Sequence, residues 1–253
     1  LDIQSSFNHY ERLSYLNYDL VLGIDEAGRG SLAGPVSVCC LSFEKSFFEI
    51  SLQNDQYSWI HKVKDSKKLL EKEREKLLEP ILFHSYFTKN LLISAIVIDK
   101  IGINKAIEKA ILIFIRHLIN FNSYTKIKIL IDGNYKFSYK SLSTEIRNII
   151  FDIRMQNYQS EITIKKNNTL YKFSIENIIK GDEKVFTIAC ASIVAKVMRD
   201  RYMKKISTLF PEYEFYQHKG YGTKSHREKI NQFGYTFFHR KTYKISKQYK
   251  LFS

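Results

Sequence analysis

Cysteine is scarce in this chain and badly placed for cross-linking. Of three in 253 residues, Cys39 and Cys40 are adjacent in a predicted strand and Cys190 lies far away. That is neither an even disulfide framework nor the spacing of zinc ligands, so the three read as reduced core residues and the protein as cytoplasmic. Long apolar runs are also missing. The longest, Ala110 to Ile115, sits inside an amphipathic pattern and falls well short of the ~18 residues a spanning helix needs, which excludes a membrane-spanning reading. The residues present carry no signal-peptide pattern and no internal repeat.

Negative charge is in deficit. Forty Lys and Arg stand against 26 Asp and Glu, a formal net charge of +14 with a sequence pI near 9.5. Such a balance favours a polyanionic partner, bound through phosphate neutralisation and counterion release. At this length the chain forms one main domain with room for embellishment. Short apolar, β-branched segments predict strands at Leu20–Ile24, Val36–Phe43, Leu91–Ile98 and Lys126–Ile131. Ile103 to Ile119 keeps the i, i+3, i+4 rhythm of a helix with one buried face. Val185–Ser207 predicts a second helix whose small residues Ala189, Ala191, Ser192 and Ala195 allow close packing on a sheet, and Glu71–Leu82 a charged surface helix. Early hairpin strands followed by alternating helix and strand define a mixed α/β layer fold. Glu44–Ile60 and Phe137–Lys172 lack clear periodicity and read as embellishments, the second with a helix near Leu142–Phe151, a strand at Glu161–Ile164 and a polar turn at 165–168. The tail from Tyr235 is basic and aromatic and is expected to be partly mobile.

The densest chemistry is Gly23-Ile24-Asp25-Glu26-Ala27-Gly28-Arg29-Gly30, directly behind an apolar strand. Successive strand side chains point to opposite faces, so Asp25 and Glu26 share one direction only if the pleat breaks, a break that Gly28 and Gly30 are expected to supply. The same glycines leave amides and Arg29 as donors where a nucleic-acid backbone could approach. Asp132 repeats the grammar of strand, acid and glycine, although Asp132-Gly133-Asn134 alone would pass for an ordinary turn. Asp182 follows Gly181 just before the second helix, where an aspartate is most commonly an N-cap. Strand-end carboxylates are what hard cations such as Mg²⁺ and Mn²⁺ prefer. Four acids, Asp25, Glu26, Asp132 and Asp182, would suffice for two-metal phosphodiester hydrolysis.

Together these strings resemble type 2 ribonuclease H, specifically the bacterial ribonuclease HII family. The resemblance runs from Gly23 to about Tyr243. It is carried by Gly23–Gly30 with Leu32–Val36, Asp65–Leu69, Asp99–Ala106, Ile131–Gly133, Gly181-Asp182, Ala191–Val197 with Arg199-Asp200, Lys219–Thr223 with His226, and His239-Arg240, all in the family's order. It implies an RNase H-like mixed sheet flanked by helices in residues 1–205, with 137–172 as an insertion. Residues 206–253 would be a helical substrate-binding segment packed on the same domain.

The implied activity is endonucleolytic hydrolysis of the RNA strand of RNA–DNA hybrids and incision 5′ of single ribonucleotides in duplex DNA, leaving 5′-phosphate and 3′-hydroxyl ends. Ribonucleotide excision repair and RNA primer removal would follow from it. On the matching positions, Asp25, Glu26, Asp132 and Asp182 would be the catalytic carboxylates holding Mn²⁺ or Mg²⁺. Gly28, Arg29 and Gly30 would sense the ribose 2′-hydroxyl, the group that tells RNA from DNA. Tyr221 would stack beside the following deoxyribose. Lys67, Lys68, Ser192 and Lys196 would meet phosphates, against a plain solvated turn for the first two and a packed small residue for Ser192. His218, His226 and His239 take no catalytic role, and a monomer is expected. The chain departs from the family at Ser31, where proline is common, in the long separation of Asp132 from Asp182, and at Thr242-Tyr243 in place of Ser-Phe. The competing readings are a ribonuclease HIII-like hybrid nuclease, which lacks the Gly-Arg-Gly triplet, and a non-catalytic hybrid-binding protein.

Overall fold

The structure, a computed structural model, describes residues 9–50, 55–63, 66–121, 123–135, 151–156, 159–166 and 168–244. After a short helix α1 (His9–Ser14) come the antiparallel strands β1 (Leu20–Ala27), β2 (Val36–Ser42) and β3 (Phe87–Ile93). Between the last two lie α2 (Lys45–Ile50), a 3₁₀ segment (Asp55–Lys62) and α3 (Glu71–His84). Next come α4 (Ala95–Ile101), α5 (Ile103–Phe121) and β4 (Lys126–Asp132), which pairs parallel to β1. Strands β5 (Phe151–Gln156), β6 (Gln159–Lys166) and β7 (Thr169–Ile178) complete one seven-stranded mixed sheet of order β3-β2-β1-β4-β7-β6-β5. The chain ends in α6 (Gly181–Lys184), the long α7 (Phe186–Leu209), a 3₁₀ turn at Pro211–Tyr213, α8 (Phe215–His218) and α9 (Lys224–Phe233).

Strand alternation divides the core in two. Leu20, Leu22 and Ile24 of β1 and Ile127, Ile129 and Ile131 of β4 face α5. Val21, Ala27 and Leu130 face α7, which is buried along most of its length. Gly23 is where α7 lies closest to the sheet, and a Cβ there would meet the Thr187 carbonyl carbon at 2.3 Å. The N-terminus of α7 is closed from a distance: the fully buried Glu11 accepts the Thr187 amide at 2.7 Å and the Thr187 hydroxyl at 3.1 Å. That is a capping interaction supplied by another helix. A third, smaller core joins Leu32 and Ala33 to Met203, Ile206, Tyr213, Phe215 and Ile230, and fixes the C-terminal helices on the same body.

Several sequence expectations shift. Residues 95–98 are helix rather than strand, because Ser94 caps α4 by accepting the Val97 amide at 3.4 Å. Glu44–Ile60 contains α2 and part of the 3₁₀ segment, closed by stacking among Phe43, Phe47, Trp59 and Phe186. The expected helix near Leu142–Phe151 falls outside the described residues except for Phe151, which opens β5. The described part of 137–172 extends the main sheet, with Glu161–Ile164 inside β6 and the turn at Asn168 in the left-handed region (φ 64°). The tail is docked as far as residue 244: Ala33 bridges His239, and Asp99 accepts the Lys241 and Thr242 amides at 2.8 and 3.1 Å. Among the described residues no helix is long and apolar enough to cross a membrane, and the three cysteines are buried with free thiols.

Candidate active site

Two strands and a short helical turn converge at the ends of β1 and β4. Asp25 and Asp132 both project from the sheet face covered by α7. Asp182 arrives in α6 after Lys180 takes a left-handed turn (φ 57°). One carboxylate oxygen from each of Asp25, Asp132 and Asp182 lies within 4.8 Å of the other two. Asp182 therefore does not cap the long helix. The helix α7 starts after Val185, and Asp182 lies inside the preceding turn, where the Gly181 amide donates to Asp132 Oδ1 at 2.6 Å. Asp25 and Asp182 are nearly inaccessible, at 5% and 4%. Burial, and then the charges of Glu26 and Asp132, push the Asp25 carboxyl well above the usual carboxylate range, against a hydrogen bond from Ser192. Buried, crowded acids of this kind fit a hard divalent cation, whose charge would relieve their mutual repulsion and whose preferred ligands are oxygens.

Glu26 is not in that cluster. The pleat runs unbroken through it, with Asp25 opposite Cys39 and Glu26 opposite Val38 on β2, so alternation sends Glu26 to the α5 face. There its Oε1 lies 3.2 Å from Arg29 Nη1, and it shares a hydrogen bond with Tyr135. The expected break in the pleat comes only after Ala27. Gly28 has φ 89°, and a Cβ there would lie 1.9 Å from Arg199 Nε, whereas Gly30 faces open space. The loop that follows is fastened by two buried arginines. Arg199 donates to the carbonyls of Pro35 and Ala33 at 2.9 and 3.1 Å; Arg240 donates to those of Gly34 and Arg29 at 3.0 and 2.9 Å. The Tyr243 hydroxyl also donates to the Arg29 carbonyl, at 2.9 Å.

The other expected site residues lie on the 66–69 turn, on α7 and on the loop after α8. Lys67 Nζ is 3.4 Å from Asp182 and Lys68 Nζ 3.0 Å from Glu183, both on exposed side chains. Ser192 is buried beneath them, its Oγ 2.8 Å from that of Ser66. Since the Ser192 proton serves Asp25, Ser66 is the donor in that pair. Lys196 binds Asp200 at 2.9 Å and sits 5.3 Å from the Tyr221 ring centroid, with the Arg199 guanidinium at 5.1 Å. Tyr221 is 36% exposed, on the loop between α8 and α9. His218, His226 and His239 pack against one another beside that loop, and none joins the acid cluster.

Sequence reading did not single out Ser66, Arg74, Asn104 or Tyr135. Arg74 holds the 66–69 turn through the carbonyls of Ser66 and Leu69, at 2.8 and 2.5 Å, and approaches Asp200 at 3.7 Å. Asn104 and Tyr135 both bind the Arg29 guanidinium. No spacing signal links residues 29, 104 and 135; only their positions on α5 and after β4 bring them together.

The fold and its strand-end acids define a class, the ribonuclease H-type nucleases, whose chemistry depends on divalent metal. The architecture matches ribonuclease H2 from Pyrococcus horikoshii (TM-score 0.59, 24% identity, covering 88% of this chain and 93% of that one). It also matches Bst-RNase HIII in complex with Mn²⁺ (TM-score 0.60, 14% identity, 92% and 69%). Within the class, the family model for ribonuclease HII matches residues 22–246, and the chain belongs to the ribonuclease HII family. Ribonuclease HII of Caldicellulosiruptor bescii is 38% identical over 240 residues, covering 94% of this chain and 92% of the relative. That of Rickettsia akari is 36% identical over 236 residues, covering 93% and 96%.

Proposed function

We propose that this nuclease incises duplex DNA on the 5′ side of an embedded ribonucleotide and cuts the RNA strand of RNA–DNA hybrids, leaving 5′-phosphate and 3′-hydroxyl ends. The observation that carries the reading is the Asp25, Asp132 and Asp182 triad beside the Gly28–Gly30 turn. Acids suited to a cation and a glycine turn suited to reading a ribose meet at the end of β1, with Asp132 of β4 and Asp182 of α6 beside them. Asp25, Asp132 and Asp182 would hold divalent metal, Mn²⁺ or Mg²⁺, with Glu26 as a fourth ligand. When bound, such ions lower the pKa of the attacking water and stabilise the leaving 3′-oxygen.

The protein's own groups do the rest. Gly30 leaves room for a sugar to approach the loop backbone, and Arg199, Arg240 and Tyr243 hold the loop carbonyls in place, so little rearrangement is needed on binding. Tyr221, backed by Lys196 and Arg199, offers a face on which a deoxyribose or base can stack. Lys67 and Lys68 add positive charge at the rim for the phosphates. Ser192, buried and bonded to Asp25, positions that carboxylate rather than meeting phosphate directly.

The test is incision of a duplex carrying one ribonucleotide, with Mg²⁺, Mn²⁺ or EDTA and with product ends mapped. Metal-dependent cutting immediately 5′ of the ribonucleotide is expected. Cutting confined to long hybrids would point to hybrid-only specificity, and binding without cutting under any metal would overturn the catalytic reading.

A further inference from the structure

Glu26 is the one expected metal ligand outside the acid cluster: alternation starts its side chain on the α5 face, and a connected set of groups holds its carboxylate there. Arg29 Nη1 donates to the Tyr135 hydroxyl and lies 3.2 Å from Glu26 Oε1, while its Nη2 donates to Asn104 Oδ1. With the Tyr135 oxygen accepting from Arg29, its own proton is directed to the Glu26 carboxylate. The guanidinium carbon sits 5.0 Å from the Tyr135 ring centroid, and the Tyr135 carbonyl accepts from Asn177 Nδ2 at 2.9 Å, which ties the tyrosine to β7. Arg29, on the loop after β1, thus joins Glu26 to the N-terminal turn of α5 through Asn104 and to the segment after β4 through Tyr135.

Arg29 is also far more accessible than the acid it holds, with 44% of its side chain exposed against 13% for Glu26. A guanidinium binds a phosphodiester as readily as a carboxylate, so a nucleic-acid strand laid over the Gly28–Gly30 turn competes with Glu26 for Arg29. Once Arg29 turns to the strand, Glu26 loses its counter-charge while Asp25 and Asp132 remain close enough to repel it, and a divalent cation relieves that repulsion. We propose that Tyr135 and Arg29 form a latch that withholds Glu26 from the Asp25, Asp132 and Asp182 cluster until a nucleic-acid strand engages Arg29. Substrate binding and completion of the metal site are then coupled, and by linkage each strengthens the other by the same factor. The proposal rests on the reading of the acids as a cation site in a nuclease.

Tyr135→Phe is the discriminating variant, because it removes one hydrogen bond to Glu26 and changes no charge. Mn²⁺ binding to the protein alone, followed by electron paramagnetic resonance of the free ion, is expected to tighten about five-fold, within what one hydrogen bond to a charged group can supply. Asn104→Ala, which loosens Arg29 without touching Glu26, is expected to tighten binding by about two-fold and gives a second reading should Tyr135→Phe fold poorly. Both effects should vanish in a Glu26→Gln background, as a double-mutant cycle requires of an action through Glu26. Unchanged affinity in both variants, or equal tightening with and without Glu26, would overturn the latch while leaving normal Mn²⁺ binding and incision by the wild type as support for the nuclease reading. Failure of the wild type to bind Mn²⁺, or Mn²⁺ binding indifferent to Asp25→Asn, would overturn the cation site and the latch together.

Discussion

Asp25 shows what one residue of this site costs the fold. A buried carboxylate beside two others is destabilising unless something compensates, and its raised pKa expresses that strain. Asp25→Asn should lower incision roughly 10³-fold, since it removes a charge on which several kcal/mol of transition-state stabilisation depend. The same change should leave duplex binding largely intact and raise Tm by about 2–4 °C, the shift expected for ~1 kcal/mol in a chain of this size. Full activity in that variant, read by single-turnover kinetics, would remove Asp25 from the metal site. Tyr221 gives the converse case. Its exposed ring covers Lys196 and Arg199 without filling a core, so Tyr221→Ala should reduce incision at a lone ribonucleotide several-fold with a Tm change of no more than about 2 °C. Equal losses of stability and activity would make it a packing residue.

At the scale of elements, the loop bearing Tyr221 is held by a relay of neutral histidines. His239 Nδ1 accepts the Thr236 amide at 2.9 Å, so its Nε2 carries the proton and donates to His226 Nε2 at 3.1 Å. His226 Nδ1–H then donates to the Tyr221 carbonyl at 2.9 Å. Burial lowers the pKa of both His226 and His239 to about 4. The sign follows from linkage. Between the unfolded value near 6.5 and the folded value near 4 the unfolded chain binds more protons, so stability present above about pH 6.5 is lost as pH falls through that window. Ring resonances of His226 and His239 should titrate near pH 4 by NMR, and Tm should drop over the same interval.

Glu11 works in the opposite direction. Burial raises its pKa to about 7, so the folded chain holds a proton that the unfolded chain releases near 4.5, and its contribution is lost as pH rises between those values. Glu11→Gln keeps an acceptor for the Thr187 amide without the charge, and its stability relative to wild type should therefore grow from pH 4.5 to 7 and level off above. A flat difference in thermal melts across that range would show that Glu11 is not protonated in the fold.

For the whole molecule, a net charge of +14 makes binding to duplexes strongly salt-dependent. Affinity for a ribonucleotide-containing duplex should fall at least about ten-fold between 50 and 200 mM salt, with a linear log–log slope that reports the phosphates neutralised. A divalent cation bound only by the folded acids should raise Tm with concentration in the wild type and much less in Asp25→Asn, and EDTA should reverse it.

Composition, charge and strand grammar were enough to place the basic α/β body, the acids Asp25 and Asp132, and the Gly28–Gly30 turn, because each is a local pattern of residue types along the chain. Periodicity likewise set α5, and a run of small and apolar residues α7, to within a few residues. What lay beyond the sequence is whatever depends on which face a side chain meets. Asp182 looks like a helix cap until Lys180 turns the chain and α6 carries it to Asp132. Residues 95–98 look like a strand until Ser94 caps a helix there. Glu26 reads as the natural partner of Asp25, yet a pleat unbroken to Ala27 sends the two to opposite sides of the sheet, where Arg29, Asn104 and Tyr135 meet only by tertiary packing. Residue type is a property of the chain; direction and company are decided by the sheet.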